Sequence, residues 1–114
     1  MNRQELDELL LSCPNTWLDF PFDEKTSVYK VGDKTDGTAK MFAIVADDSK
    51  PLRVSLKCDP QLAELLREKY ETVLPGYHLN KKHWNTILYT GQMPEDEFQD
   101  LIRLSYNLVS GSSN

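Results

Sequence analysis

The sequence predicts a two-layer α+β domain, an antiparallel sheet backed by three helices. Three observations lead there. Apolar residues recur at helical spacing near the N-terminus, after Pro60 and after Pro94. Between these segments lie short runs rich in β-branched and aromatic residues, punctuated by Asp- and Gly-containing turns. The 114 residues contain no repeat and no linker-like stretch, which suits a single domain over residues 1–114.

Asn2 and Glu5 have the spacing of a capping box, and Leu6, Leu9 and Leu10 then share one face of a short helix. Pro14 stops it, because proline has no amide hydrogen and restricts Cys13 before it. From Trp17 to Leu56 the signal is that of three or four strands. Val28–Val31 alternates around Lys30, Lys40–Ala46 is a nearly continuous apolar run, and Asp36-Gly37 between them is a turn pair. Leu52, Val54 and Leu56 face one way in the next strand, and Arg53, Ser55 and Lys57 face the other. Asp59-Pro60 starts the second helix, with Leu62, Leu65, Leu66 and Tyr70 as its expected inner stripe. Val73–Tyr77 breaks that helix, and one or two short strands follow. His83–Thr90 is a strand with Trp84, Thr86, Leu88 and Thr90 opposite Asn85, Ile87 and Tyr89. Pro94 and the acids Glu95, Asp96 and Glu97 open the last helix, where negative charge suits the dipole. Its expected inner stripe is Phe98, Leu101, Ile102, Leu108 and Val109, and the tail after Gly111 is expected to fray.

Composition is that of an ordinary globular chain, 39% hydrophobic and 27% charged. No apolar run is long enough to span a membrane, and the N-terminus has no signal-peptide pattern. Cys13 and Cys58 form no CxxC and suggest neither a disulfide framework nor a zinc site, so the cytoplasm is the expected compartment. The net charge is −5, with the acidity concentrated at the two ends. Residues 75–92 carry Lys81 and Lys82 and no acid. An acidic total opposes nonspecific binding to nucleic acid at long range, but screening over about 10 Å lets a local basic patch act.

Four stretches occur together and in order: VYKVGDK with KMFAIV, LRVSLKCDPQLAELLREKY, PGYHLNKKHWNTI and LIRLSYNLV. On these the chain resembles the MmcQ/YjbR-like family from Val28 onward. WLDFPFD, Trp17 to Asp23, is similar to that family's entry into its first strand. The turn from Asp33 to Ala39 is longer than the family's usual passage and should lengthen one hairpin without altering the core. The resemblance implies a CyaY-like, or secretion-chaperone-like, fold and a DNA-binding role through a double-wing surface.

PGYHLNKKHWNTI, residues 75–87, is the stretch with most chemistry. His78 and His83 lack the further clustered ligands that zinc needs. The acids Glu5, Asp7, Glu8, Asp19, Asp23 and Glu24 are weak oxygen ligands at best and are read as a solvated face. Cys58 precedes a helix N-terminus but follows an apolar strand, which suits a buried thiol better than a nucleophile. There is no GxSxG elbow and no Gly-rich phosphate loop. Two readings remain. In one, Lys81, Lys82, His78, His83 and Asn80 meet phosphates, Tyr77 offers a stacking face, and Arg53 and Lys57 extend the patch. In the other, Pro75-Gly76 is a turn, Tyr77, Leu79 and Trp84 pack at the core edge, and the asparagines satisfy backbone groups. The expected protein is a non-enzymatic binding module without metal or cofactor. Its partner is DNA or, alternatively, another protein bound in a chaperone-like manner, and not a membrane.

Overall fold

The computed structural model describes residues 1–111, so the tail expected to fray, Ser112–Asn114, lies outside the described residues. Helix α1 spans Arg3–Leu11 behind the expected capping box. Asn2 Oδ1 accepts from the Glu5 amide at 2.8 Å, and Glu5 Oε1 accepts from the Asn2 amide at 3.0 Å. Four strands follow, β1 Thr16–Asp19, β2 Thr26–Val31, β3 Lys40–Ala46 and β4 Leu52–Lys57. Then come α2 Pro60–Lys69, β5 Val73–Pro75, β6 Trp84–Tyr89 and α3 Glu95–Ser110. All strands belong to one antiparallel sheet in the order β1-β2-β3-β4-β6-β5. The first four strands make a meander. The chain then crosses through α2 to the far edge, and β6 fills the gap beside β4. No helix among the described residues is long and apolar enough to cross a membrane.

The alternation read from β4 and β6 sorts the two faces. Tyr29, Ala43, Val45, Val54, Leu56 and Ile87 point at the helices and join Leu6, Leu10, Leu66, Phe98, Leu101 and Ile102 in the main core. A bulge adjusts this face. Pairing passes from Tyr29 with Ala43 to Lys30 with Met41, which leaves Phe42 as an extra residue. Phe42 is buried in the same core, edge-on to Tyr106 at 5.6 Å between centroids. Two leucines of the expected inner stripes are exposed instead, Leu65 on α2 and Leu108 on α3. Helical spacing defines a stripe wider than the sheet covers, and the flank of that stripe meets water.

One buried hydroxyl fastens α3 to the sheet. Ser105 Oγ donates to the Phe42 carbonyl, at the bulge, and accepts from the Lys57 amide at 2.9 Å, at the end of β4. Ser105→Ala would leave both backbone groups buried without that partner. Its expected cost is about 1–3 kcal/mol. Urea unfolding checks this: the midpoint should fall with an unchanged slope, and an unchanged midpoint would show that the hydroxyl contributes nothing.

Candidate functional site

The helices cover one face of the sheet. On the other face, residues align in rows across the strands. Val28, Ile44, Ser55 and Thr86 form one row, and Thr26, Ala46, Arg53 and Leu88 form the next. The Ser55 and Thr86 hydroxyls lie 2.8 Å apart in a buried pair. Val28, Ile44 and Trp84 form a second, smaller apolar cluster, with Met41 and Leu79 packed against it.

The β5–β6 connection folds back over this face. The Tyr77 amide donates to Thr86 Oγ1 at 3.0 Å, and the Gly76 amide donates to the Trp84 carbonyl at 2.9 Å. Gly76 is required by this close approach, since a Cβ there would stand 2.7 Å from the Trp84 Cβ and 3.0 Å from its carbonyl oxygen. His78 takes the left-handed conformation, with φ 56°, and its ring lies against Tyr77 at 4.1 Å between centroids. Tyr77 itself is exposed rather than packed into the core edge, whereas Trp84 is buried and Leu79 half-buried. The aperiodic segment thus divides its work: Leu79 and Trp84 cover the sheet, and Tyr77 and His78 form an outer wall.

A groove of about 400 Å³ remains between this wall and the sheet. Its floor includes Ile44, Ala46, Arg53, Ser55 and Thr86, and Phe22, Asp23 and Asp48 close the side nearest Thr26. The Arg53 guanidinium lies over the Tyr77 ring, 4.7 Å from its centroid.

The seven residues proposed for phosphate contact fall into groups. Arg53 and His78 line the groove. Lys57 shares the Arg53 face of β4 but sits four residues along it, about 14 Å away by strand geometry, opposite Trp84. Asn80, Lys81, Lys82 and His83 occupy the remainder of the connection, and all four are exposed. Several of these groups also hold the loop. Asn80 Oδ1 accepts from the Lys82 amide at 2.9 Å, and Lys81 Nζ donates to the Gly76 carbonyl at 3.1 Å. Arg67 donates to the Lys81 carbonyl at 3.2 Å, and the His83 carbonyl accepts from the Cys58 amide at 2.7 Å. The Lys82 side chain is engaged in none of these bonds. Ser55 and Thr86 were not singled out from the sequence, although alternation placed Ser55 on the face of Arg53. Asp23 and Asp48 come from distant turns and carry no local signal of their place.

Among the described residues, no group of three or more His, Cys, Asp or Glu is arranged to hold a metal ion. The expected acidic face is partly engaged within the fold. Asp19 pairs with Lys30 at 2.9 Å, and Asp7 accepts from the Tyr29 hydroxyl at 2.7 Å. Cys58 is buried, and its thiol is pushed up to about 11, chiefly by that burial and further by Asp59. The thiol therefore stays protonated at neutral pH.

Two outcomes follow from this geometry. Gly76→Ala should destabilise the protein by about 1–3 kcal/mol through overpacking against Trp84, measured by urea unfolding; wild-type stability would mean the loop can lift without cost. In a Cys13→Ser background, Cys58 should resist a thiol-disulfide reagent until the protein is unfolded. Rapid labelling of the native protein would contradict its burial.

A family model described as YjbR matches residues 11–108. The chain is 34% identical over 113 residues to Uncharacterized protein YbdF of Escherichia coli O157:H7, covering 96% of this chain and 88% of that protein. It is 35% identical over 106 residues to Uncharacterized protein YjbR of Escherichia coli strain K12, covering 93% and 85%. The crystal structure of a Deinococcus radiodurans protein with domain DUF419 superposes with a TM-score of 0.90 at 38% identity, over 97% of this chain and 80% of that one. A Pseudomonas syringae protein superposes with a TM-score of 0.77 at 27% identity, over 96% and 99%. The family motifs, the six-stranded sheet and these relatives agree, and the chain belongs to the YjbR family.

Proposed function

We propose that this domain is a non-enzymatic binding module that holds DNA through its phosphate backbone. The observation that carries the reading is a basic track. Lys57 lies on the open face of β4 opposite Trp84, and the exposed Lys81 and Lys82 precede Trp84 on a connection that contains no acid. Contacts of this kind position a protein on nucleic acid without reading sequence. Lys82 is the better electrostatic contact, because the Lys81 ammonium also braces the loop through Gly76.

A second reading is a protein-docking module without nucleic acid. It is favoured by Phe20 and Phe22, exposed at 49% and 62% on the β1–β2 connection, with Phe22 at the groove.

Fluorescence anisotropy with labelled duplex DNA separates the two. With three phosphate contacts, Kd should weaken roughly 40-fold between 50 and 200 mM salt. Lys82→Glu should weaken binding at low salt, and the Lys81→Ala, Lys82→Ala pair should flatten the salt slope by about two. Absence of binding at low salt would remove the DNA reading. A protein complex lost on Phe22→Ser would then support the second.

A further inference from the structure

The groove contains a cation for which the described residues supply no acceptor. The Arg53 side chain forms no hydrogen bond and no ion pair with any described residue, and its Nε is shut off from solvent. Its guanidinium lies over the Tyr77 ring instead. Of the five N–H donors of the guanidinium, the one on Nε is cut off from water, and leaving a buried donor unmet is costly. Asp23 and Asp48 line the same groove but form no ion pair with Arg53. The cation–π contact with Tyr77 helps hold the guanidinium at the groove, where an arriving acceptor can meet it. Beside it lie the apolar surfaces of Ile44, Ala46 and Leu79 and the paired hydroxyls of Ser55 and Thr86. The volume of about 400 Å³ falls within the range of small-molecule sites.

From this geometry we infer that the groove binds a small organic monoanion, with its acidic oxygens on Arg53 and a flat or aliphatic body on Ile44, Ala46 and Leu79. The head group is a carboxylate or a chemically equivalent single charge. Asp23 and Asp48 oppose a second negative charge at the same mouth, and a phosphate monoester is close to doubly ionised at neutral pH. The site is distinct from phosphate contact by Lys81 and Lys82, so the two readings fail separately.

The test uses the folded full chain and 8-anilinonaphthalene-1-sulfonate, a fluorescent aromatic monoanion. One saturable site is expected. Arg53→Met should weaken the probe about tenfold or more, while Lys82→Glu leaves it unchanged. N-phenyl-1-naphthylamine, with the same rings and no charge, should not distinguish wild type from Arg53→Met. 1-Naphthoate should displace the sulfonate probe at lower concentration than adenosine 5′-monophosphate does. Should Arg53→Met not fold, amide NMR shifts of wild type with 1-naphthoate decide, and they should centre on Ser55, Tyr77 and Thr86. Unsaturable binding, equal affinity in a folded Arg53→Met, stronger displacement by the nucleotide, or shifts centred elsewhere would overturn the proposal.

Discussion

Period-two alternation in β4 and β6 is the constraint on which the rest of the molecule depends. It sends Val54, Leu56 and Ile87 to the helix layer, and Arg53, Ser55, Lys57, Trp84 and Thr86 to the opposite face. A slip of one residue would exchange the two sets, so the helical core and the open face are specified together. Three helices suffice to cover one face only. The other still carries Val28, Ile44 and Trp84, which need shelter from water. The folded-back connection supplies it with Leu79. It can come close enough because Gly76 has no side chain. The groove is the part of this face that the connection leaves uncovered.

The edge of the groove is tied to the helix layer by a polar network. Arg3 on α1 donates to Asp47 at 2.6 Å and to the Tyr29 hydroxyl at 2.9 Å, and Tyr29 in turn donates to Asp7. Asp47 also accepts from Ser27 Oγ at 2.6 Å, and its amide donates to the Lys25 carbonyl at 2.8 Å. Helix α1, strand β2 and the β3–β4 turn are thereby held in one arrangement. Thr26 and Asp48, which border the groove, are neighbours in sequence of these anchored residues. The phenol of Tyr29 is pushed well above its usual range, by burial first and by the hydrogen bond to Asp7 next, so it stays a neutral donor. Helix packing on one side of the sheet therefore bears on groove shape on the other.

The fold was legible where periodicity was long. The capping box, the alternation of β4 and β6 and the three helices are local patterns, and each corresponds to an observed element. Strands β1 and β5 were foreseen only as part of an uncertain count. They span four and three residues, too short for a period to register. Leu65 and Leu108 show the converse error, since helical spacing identifies an apolar stripe but not how far a neighbour covers it. At the site, Arg53 and His78 were singled out on chemistry and do lie together. Their union with Asp23 and Asp48 depends on two turns that tertiary packing brings to the same place. The turn after Asp33, expected to be longer than the family's, is closed by its own hydrogen bonds. Asp33 and Asp36 accept from Thr35 and Thr38 within it, and β2 and β3 pair on either side.

The acidic balance of the chain bears differently on a polymer and on a small anion. At 10 Å in water one unit charge acts on another with about 0.4 kcal/mol, and physiological salt screens much of that. A small anion in the groove therefore responds mainly to Arg53 at contact and to the two carboxylates at the mouth. An extended phosphate chain samples many such terms at once, including the acids of both chain ends, and it must displace counterions as it binds. The chain's charge of −5 would thus oppose DNA along its whole length, while a groove ligand would meet mainly what Asp23 and Asp48 impose. Nor is Arg53 equally available to the two. Its place by the Tyr77 ring inside a concave site favours an acceptor small enough to enter, whereas the exposed Lys82 would meet only a partner passing outside. If both proposals hold, charge distribution and shape divide the work: the outer loop would face a phosphate polymer, and the groove a compact single charge.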